Sequence, residues 1–184
     1  MTELSILNIV HDTTVDGPGF RTAIYAAGCV HRCPGCHNPQ SWNVNAGTLY
    51  PVSALLELIR EDEFSNVTFS GGDPLLQVEG FTELAWLIKQ ETGKNIWCYT
   101  GFSYEQIVKS DRLSQILPFI DTLVDGRYVD ALRDESLHFK GSSNQRIIDV
   151  RQSLARNEVV VQYEDMLENI CCLFPKNQSS YIPI

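Results

Sequence analysis

Three cysteines at the spacing C-x3-C-x2-C are the residues of this sequence whose types and spacing best suit chemistry. They are Cys29, Cys33 and Cys36, and they lie in a stretch, 28–38, that is rich in turn-forming residues. A closed structural zinc site takes four ligands, and an iron-sulfur cubane held entirely by protein takes four thiolates. Three thiolates therefore predict a metal centre that is one ligand short. In a cubane, this would leave one iron open to a small molecule.

Zinc is the alternative occupant of this loop. His31 or His37 would complete a Cys3His set, so the spacing alone favours iron-sulfur without excluding zinc. Between ligation and solvation, we expect His31 to be a solvated loop residue. The other cysteines form no such pattern. We predict that Cys98 is a buried strand thiol, and we assign no role to Cys171 and Cys172.

Composition limits the class of protein. A chain of 184 residues fits one domain with a core of its own, and we predict a single domain over 1–184. The formal net charge of -9 argues against a sequence-independent nucleic-acid binder, which needs clustered lysine and arginine. The sequence shows neither a basic, apolar leader nor a run of about 18 apolar residues. We therefore expect a cytoplasmic protein with free or metal-bound thiols, no disulfide framework and no membrane association.

The cysteine loop needs a scaffold, and the rest of the chain predicts one built of strand–helix units. Short apolar runs predict strands at 4–10, 21–27, 67–69, 95–99, 120–124 and 159–162. Amphipathic stretches between them predict helices and a mainly parallel sheet. The first helix, after Pro51, has an apolar stripe of Val52, Leu55, Leu56 and Ile59, and the second, before Gly93, has one of Phe81, Leu84, Ala85 and Ile88. A third helical stretch is predicted near 103–109. The last helix follows a capping box from Ser142 to Gln145 and carries Ile147, Val150 and Leu154. Phe81, Trp86 and Trp97 are predicted core residues.

Four unusual loops each follow a predicted strand. They are the cysteine loop, Gly71-Gly72-Asp73, Thr100-Gly101 and Asp125-Gly126-Arg127. Because the carboxyl ends of parallel strands build the ligand site in α/β folds, these loops are predicted to meet on one rim. Five or six units are too few for a closed eight-stranded barrel. The predicted fold is therefore α/β, an incomplete (β/α) barrel whose side opening would admit a large partner.

These motifs together resemble the radical S-adenosylmethionine superfamily. The cysteine loop after one strand and Ser70-Gly71-Gly72-Asp73-Pro74 after the next carry the likeness, and Asp16-Gly17-Pro18-Gly19 ahead of Arg21 is similar to its glycyl-radical activating enzymes. More narrowly, residues 6–150 resemble the activating proteins of anaerobic (class III) ribonucleoside-triphosphate reductases, with further matches at 28–36, 123–126 and 141–145. Residues 151–184, a predicted last helix, strand and tail, lie beyond the match.

The resemblance implies a 4Fe-4S cluster on Cys29, Cys33 and Cys36 and S-adenosyl-L-methionine bound at the open iron. One electron from the reduced cluster would cleave the sulfonium C–S bond, giving methionine and a 5'-deoxyadenosyl radical. That radical would take a hydrogen from a glycine of the reductase's large catalytic subunit. An electron donor such as flavodoxin or ferredoxin is implied. Other activases, such as the pyruvate formate-lyase type, and a non-catalytic zinc-stabilised module are the alternative functions.

The cofactor-binding residues are predicted from residue type and from the resemblance, and no catalytic residue is predicted beyond the cluster. Gly71, Gly72 and Asp73 are assigned to the methionine end, with a tight turn and helix cap as the structural alternative. Gly35 stands where many superfamily members have an aromatic residue, so we expect Gly35, Cys36 and His37 to border the adenine and His37 or another ring to stack on it. The resemblance places Thr100 and Asp125 near the ribose and the carboxylate of S-adenosylmethionine, and Arg127 is expected to pair with that carboxylate. The structural alternatives are a turn hydroxyl for Thr100, a helix cap for Asp125 and a solvated charge for Arg127. For Lys140 and Ser142 to Gln145 a structural role is favoured over a partner contact.

Overall fold

Apolar runs rich in β-branched and aromatic residues form seven strands in the computed structural model, which describes residues 2–162. The strands are β1 (Glu3–Thr13), β2 (Arg21–Ala26), β3 (Thr48–Pro51), β4 (Asn66–Gly71), β5 (Ile96–Tyr99), β6 (Thr122–Asp125) and β7 (Arg146–Asp149). Their order in the sheet is β3-β1-β2-β4-β5-β6-β7, so β3 and β7 are the two edges of an open sheet.

The centre of the sheet is parallel and its borders are antiparallel. β2, β4, β5 and β6 pair in parallel, whereas β1 runs antiparallel to β2 and β3, and β7 runs antiparallel to β6. The predicted mixed α/β architecture with a mainly parallel central sheet is confirmed. Because all four central strands point the same way, the loops after them share one edge, which we call the carboxyl edge.

Within residues 2–162, four helices connect and flank these strands: α1 (Val52–Glu61), α2 (Val78–Glu91), α3 (Tyr104–Val108) and α4 (Val150–Arg156). The predicted apolar stripe of α1 is confirmed, since Val52, Leu55, Leu56 and Ile59 are its buried residues. α3 begins with a capping box between Ser103 and Gln106. Short 3-10 turns complete the described connections, at Pro39–Trp42, Val44–Ala46, Pro74–Gln77, Leu113–Phe119 and Asp130–Leu132.

The main core lies between the sheet and the helices. Side chains from one face of the strands, such as Ile24, Phe69 and Leu123, pack there with the stripes of α1 and α2. A second, smaller cluster on the sheet contains Trp97, Val124 and Ile147. The central strands are buried on both faces, so that polar residues such as Arg21, Thr68 and Thr122 are buried along with the apolar ones.

The predicted helix with a capping box at Ser142 and Gln145 is wrong in its first half. Residues Arg146–Asp149 form β7, where Ile148 pairs with Leu123 of β6. The Gln145 side chain instead accepts hydrogen bonds from the backbone of Gly141 and Ser142, which closes a turn before the strand. Asp149 caps α4 by accepting from the backbone N–H of Gln152 at 2.8 Å.

Two smaller predictions are also corrected. Trp86 is not a core residue, because it lies beside the buried stripe of α2 and is 46% exposed, whereas Phe81 and Trp97 are buried as predicted. The predicted strand at 159–162 is reduced to one bridge, between Val161 and Ile148. The tail cysteines Cys171 and Cys172 lie outside the described residues. No helix within residues 2–162 has the length and apolar character needed to cross a bilayer.

Candidate functional site

The four unusual loops meet at the carboxyl edge, as predicted. The backbone N–H of Asp73 donates to the carbonyl of Gly28 at 2.8 Å, which joins the loop after β4 to the start of the cysteine loop. Thr100 Oγ1, after β5, donates to both Asp73 oxygens at 3.0 Å. Arg127, after β6, donates from Nη2 to the carbonyl of His31 at 2.6 Å. Parallel strand topology therefore brings together residues that lie up to about a hundred positions apart.

The cysteine loop is closed on itself at its base. The backbone N–H of Gly28 donates to Ser41 at 2.7 Å and that of Cys29 to Trp42 at 3.1 Å, so the chain leaves β2 and returns beside it. Cys33 is buried, and Cys29 and Cys36 are partly buried. All three thiols are free, as is the fully buried Cys98, which matches its prediction.

The thiols of this loop lie among backbone donors. Burial raises the pKa of the Cys29 thiol, and backbone N–H groups of His31 and Arg32 oppose that rise by donating to the sulfur. Cys36 Sγ accepts from the N–H of Asn38 at 3.4 Å. Donors of this kind stabilise a thiolate, which is the form that ligates metals.

Three thiols in one loop are a donor set that suits a 4Fe-4S cluster with one open iron. Within residues 2–162, no three His, Cys, Asp or Glu side chains converge as a site for one metal ion. A cubane does not require that convergence, because each thiolate binds a different iron. His31 is turned toward Asp73 and His37 is exposed, so neither histidine completes a Cys3His set here. One buried donor beside this loop has no acceptor among the described residues. It is the indole N–H of Trp42, whose carbonyl accepts from the backbone N–H of Cys29.

Gly35 departs from the superfamily's aromatic residue for a steric reason. Its φ of +73° lies in the left-handed region, and a Cβ there would stand 2.5 Å from Oδ1 of Asp130. Asp130 is in turn held by the hydroxyl of Tyr128 at 2.8 Å. A side chain at position 35 would therefore require Asp130 to move away from Tyr128. His37 is an exposed ring on the same loop.

The two glycines before Asp73 allow close backbone contact. A Cβ on Gly71 would lie 2.6 Å from the backbone nitrogen of Ala26, and one on Gly72 would overlap the carbonyl of Gly28. Only residues without a side chain let the loop after β4 pass this close to the end of β2. Gly71 and Gly72 thus fix the position of the cysteine loop's first residue, whatever ligand they contact.

Asp73 has a full set of donors from its own chain. Its side chain is completely buried, and Oδ1 accepts from the N–H of Leu75 at 2.9 Å, which caps the 3-10 turn Pro74–Gln77. Oδ2 accepts from the N–H of Gly101 at 3.0 Å, and Thr100 bonds to both oxygens. The structural alternative, a helix cap, is therefore present in the molecule. Contact between Asp73 and an S-adenosylmethionine ammonium group stays a prediction.

His31 is not the solvated residue that we predicted. Its side chain is only 10% exposed, and Nε2 lies 2.7 Å from Oδ2 of Asp73. The ring meets Phe102 edge to face, with ring centroids 4.5 Å apart. The sequence offers one signal for this role, the place of His31 between Cys29 and Cys33, but its partner Asp73 lies 42 residues away.

The predicted carboxylate-binding residues differ in their accessibility. Asp125 is buried and accepts from Nε of Arg146 at 3.0 Å and from the N–H of Tyr104 at 2.7 Å. Arg146, a residue that sequence reasoning missed, also pairs with Glu105 at 2.9 Å. Arg127 is exposed, so of this group it is the side chain open to a ligand.

Comparisons with known proteins identify the family of this chain. A family described as a 4Fe-4S single cluster domain matches residues 15–148. The anaerobic ribonucleoside-triphosphate reductase-activating protein of Escherichia coli K12 is 37% identical over 146 residues, covering 74% of this chain and 93% of the relative. Proteins of the same name in Haemophilus influenzae and Enterobacteria phage T4 are 36% and 32% identical, covering 72% of this chain and 90% and 86% of theirs. The chain therefore belongs to the 4Fe-4S single cluster family, in the group of anaerobic ribonucleoside-triphosphate reductase-activating proteins.

Proposed function

We propose that this protein is the activating enzyme of an anaerobic ribonucleoside-triphosphate reductase, a radical S-adenosylmethionine oxidoreductase that generates a glycyl radical on the large subunit. The observation that carries the proposal is the three-thiol loop at the carboxyl edge of a mostly parallel sheet. Family membership supports it, because the relatives are named as activating proteins of that reductase.

The chain's own residues would bind and orient the cofactors. Cys29, Cys33 and Cys36 would hold a 4Fe-4S cluster, which when bound supplies the electron that reductively cleaves S-adenosyl-L-methionine. Gly71, Gly72 and Asp73 would meet its methionine end, Gly35 and His37 would border its adenine, and Thr100 would lie near its ribose. Asp125 and Arg127 would face its carboxylate, with Arg127 offering exposed guanidinium donors. These assignments are supported by the common edge on which all of the residues lie.

The same proposal extends to the fold and the partner. We infer a partial barrel of the radical S-adenosylmethionine type, formed by a single domain over 1–184, whose open side admits the reductase's glycine loop. The net charge of -9 suggests that basic groups of the reductase assist docking. Flavodoxin or ferredoxin would donate the electron in the cytoplasm, and neither nucleic acid nor membrane takes part.

Anaerobic reconstitution tests the proposal. Mixed with S-adenosylmethionine, an electron donor and the large reductase subunit, the protein should produce methionine, 5'-deoxyadenosine and a glycyl-radical doublet in the EPR spectrum. The doublet should collapse when the target glycine is α-deuterated, because its splitting comes from the single α-hydrogen. If the radical forms on pyruvate formate-lyase but not on the reductase, the proposed cleavage of S-adenosylmethionine would stand and the proposed partner would be wrong. If the protein binds stoichiometric zinc and does not respond to S-adenosylmethionine in the EPR spectrum, a non-catalytic module would be supported instead.

A further inference from the structure

His31 occupies the middle of the C-x3-C segment and is held from both sides of the site. Its side chain reaches Asp73, on the loop after β4, through the 2.7 Å contact of Nε2 with Oδ2. Its carbonyl accepts from Arg127, on the loop after β6, at 2.6 Å. Two separate loops of the carboxyl edge therefore fix one residue that stands between two predicted cluster ligands.

The Asp73 carboxylate that His31 contacts is surrounded by donors from several loops of the site. Asp73 is completely buried and accepts from Leu75, Thr100 and Gly101 as well as from His31. Each of these groups is a donor, so a neutral imidazole with its hydrogen on Nε2 completes the set. A carboxylate with this many donors from fixed backbone and side-chain groups is a rigid anchor.

The space for the ring is also built into the structure. A Cβ on Gly101 would overlap the His31 ring, so glycine at that position lets the imidazole lie flat against the loop after β5. Phe102 closes the edge of the ring at a centroid distance of 4.5 Å. His31 is thus packed against Gly101 and Phe102.

The backbone of the anchored residue faces the metal site. The backbone N–H groups of His31 and Arg32 favour the thiolate form of Cys29. They belong to the same short segment that the His31 side chain and carbonyl anchor to Asp73 and Arg127. Hydrogen bonds to cluster sulfurs tune the electronic properties of iron-sulfur centres.

We propose that His31 is a positioning residue, which, anchored by Asp73, orients the cysteine loop and its N–H donors around the cluster thiolate of Cys29. The proposal rests on the proposed function, because it requires that the loop bind a cluster. Residues just beyond the ligands of metal sites typically change metal affinity by about ten- to a hundredfold when they are replaced. His31→Ala is therefore expected to lose cluster iron to a chelator about tenfold faster, or more, than the wild type.

Three variants and a control separate positioning from a general loss of stability. His31→Gln restores an amide N–H near the position of Nε2 and should recover most of the wild-type behaviour. Gly101→Ala leaves both partners intact but displaces the ring, so it should act like His31→Ala. Arg32→Ala is the control, because Arg32 is an exposed neighbour in the same loop. Iron loss to a chelator and the EPR spectrum of the reduced cluster are measured for each reconstituted protein under anaerobic conditions.

The proposal expects faster iron loss and altered EPR g values in His31→Ala and Gly101→Ala, with near wild-type behaviour in His31→Gln and Arg32→Ala. Equal behaviour of His31→Ala and the wild type would overturn it, as would an unchanged EPR spectrum in a variant that merely loses iron faster. A wild-type protein that assembles no 4Fe-4S cluster would overturn the proposed function, and this proposal with it. Normal cluster assembly with an indifferent His31 would overturn only the positioning role.

Discussion

Two buried charges lie at opposite ends of the parallel strands. Arg21, at the start of β2, is 1% exposed, and Asp73, after the end of β4, is 0% exposed. Arg21 donates to neutral acceptors that include Thr68 Oγ1 and the carbonyl of Val67, each at 2.6 Å, and its guanidinium lies 5.5 Å from the centre of the Trp97 ring. Asp73 instead accepts from the loops of the carboxyl edge.

The two buried charges have different structural roles because their hydrogen-bond partners belong to different parts of the sheet. The acceptors of Arg21 belong to β4 and to residues that begin or precede strands, so the arginine ties the amino ends of the sheet together. The donors of Asp73 include His31, which belongs to a loop that carries thiols. A polar cavity of about 540 Å³ opens beside Arg21, yet the residues suited to redox chemistry lie at the other end. The direction of the strands, and not this cavity, therefore points to the end where the thiol-bearing loop lies.

The largest effect is expected from replacing the predicted cluster ligands at the carboxyl edge. Serine at position 29, 33 or 36 replaces a soft thiolate with a poorly ionised hydroxyl, so each variant should fail to retain a full cluster. Cys98→Ser is the matched control, since Cys98 is buried in β5 and should be dispensable for the cluster, and Cys171→Ser and Cys172→Ser should be equally harmless. Iron and sulfide content after reconstitution measures the result. A full cluster in Cys33→Ser, or its loss in Cys171→Ser, would contradict the ligand assignment.

The next prediction tests the amino edge. Arg21→Met keeps much of the side-chain length but leaves Thr68 and the carbonyl of Val67 without their buried donor. Leaving buried polar groups unsatisfied costs about 1–3 kcal/mol each, so the free energy of unfolding of the metal-free protein should fall by about 3 kcal/mol in urea titrations. If the division between the edges is right, properly folded Arg21→Met should lose cluster iron at the wild-type rate. Faster iron loss with unchanged stability would reverse the two roles.

A pair of glycines gives a matched comparison of the two edges. Gly35, in the cysteine loop, and Gly19, before β2, both have φ of +73°, but only Gly35 has a neighbour, Asp130, where a Cβ would stand. Alanine at either position should cost about 1–2 kcal/mol for the left-handed conformation. Gly35→Ala should cost about 1 kcal/mol more, because Asp130 must turn away from Tyr128.

The difference between the two glycine variants is measured by chemical unfolding of the metal-free proteins. Replacing Asp130 by alanine in the Gly35→Ala background should remove most of the excess cost and leave the conformational cost. Equal losses for Gly19→Ala and Gly35→Ala would mean that Asp130 moves aside freely. The steric explanation for the missing aromatic residue would then fail.

The sequence was informative where its signals are local. Apolar runs followed by glycine located the carboxyl ends of β2, β4, β5 and β6, and these ends determine which loops meet. β7 was missed because Arg146-Ile147-Ile148-Asp149 is short and its apolar pair also fits a helix that follows a capping box. Its pairing with β6, a tertiary contact, decides the conformation.

The contacts of the site were the least predictable part. His31 and Asp73 are separated by 42 residues, and Asp125 and Arg146 by 21, so no spacing rule connects either pair. Gly71 and Gly72 were correctly singled out, but their close approach to Ala26 and Gly28 became evident only from the packing of two strand ends. The ligand-binding roles assigned to Asp73, Thr100 and Asp125 remain predictions.

The smallest predicted effect lies at the outer end of the carboxyl edge. Arg146 bridges the buried Asp125 and the exposed Glu105, and its hydrogen bonds lower the pKa of Glu105 from 4.5 to about 2. A carboxylate with a lowered folded-state pKa stabilises the protein above its unfolded pKa, and that stabilisation is lost as the pH falls. The Glu105 side chain is 49% exposed, so solvent screening should limit its contribution to less than about 1 kcal/mol.

Glu105→Gln tests this contribution in the metal-free protein. Its free energy of unfolding should lie below the wild-type value near neutral pH, and the gap should begin to close below about pH 4.5 and vanish toward about pH 2. Glu79→Gln is the matched control, because Glu79 pairs with Arg112 at a more exposed position, with side chains 59% and 50% exposed. The difference in free energy of unfolding between Glu79→Gln and the wild type should be smaller than that for Glu105→Gln. A gap for Glu105→Gln that widens as the pH falls would show that the Arg146 contact does not hold Glu105 ionised, and the buried pair with Asp125 would then be the whole contribution of Arg146.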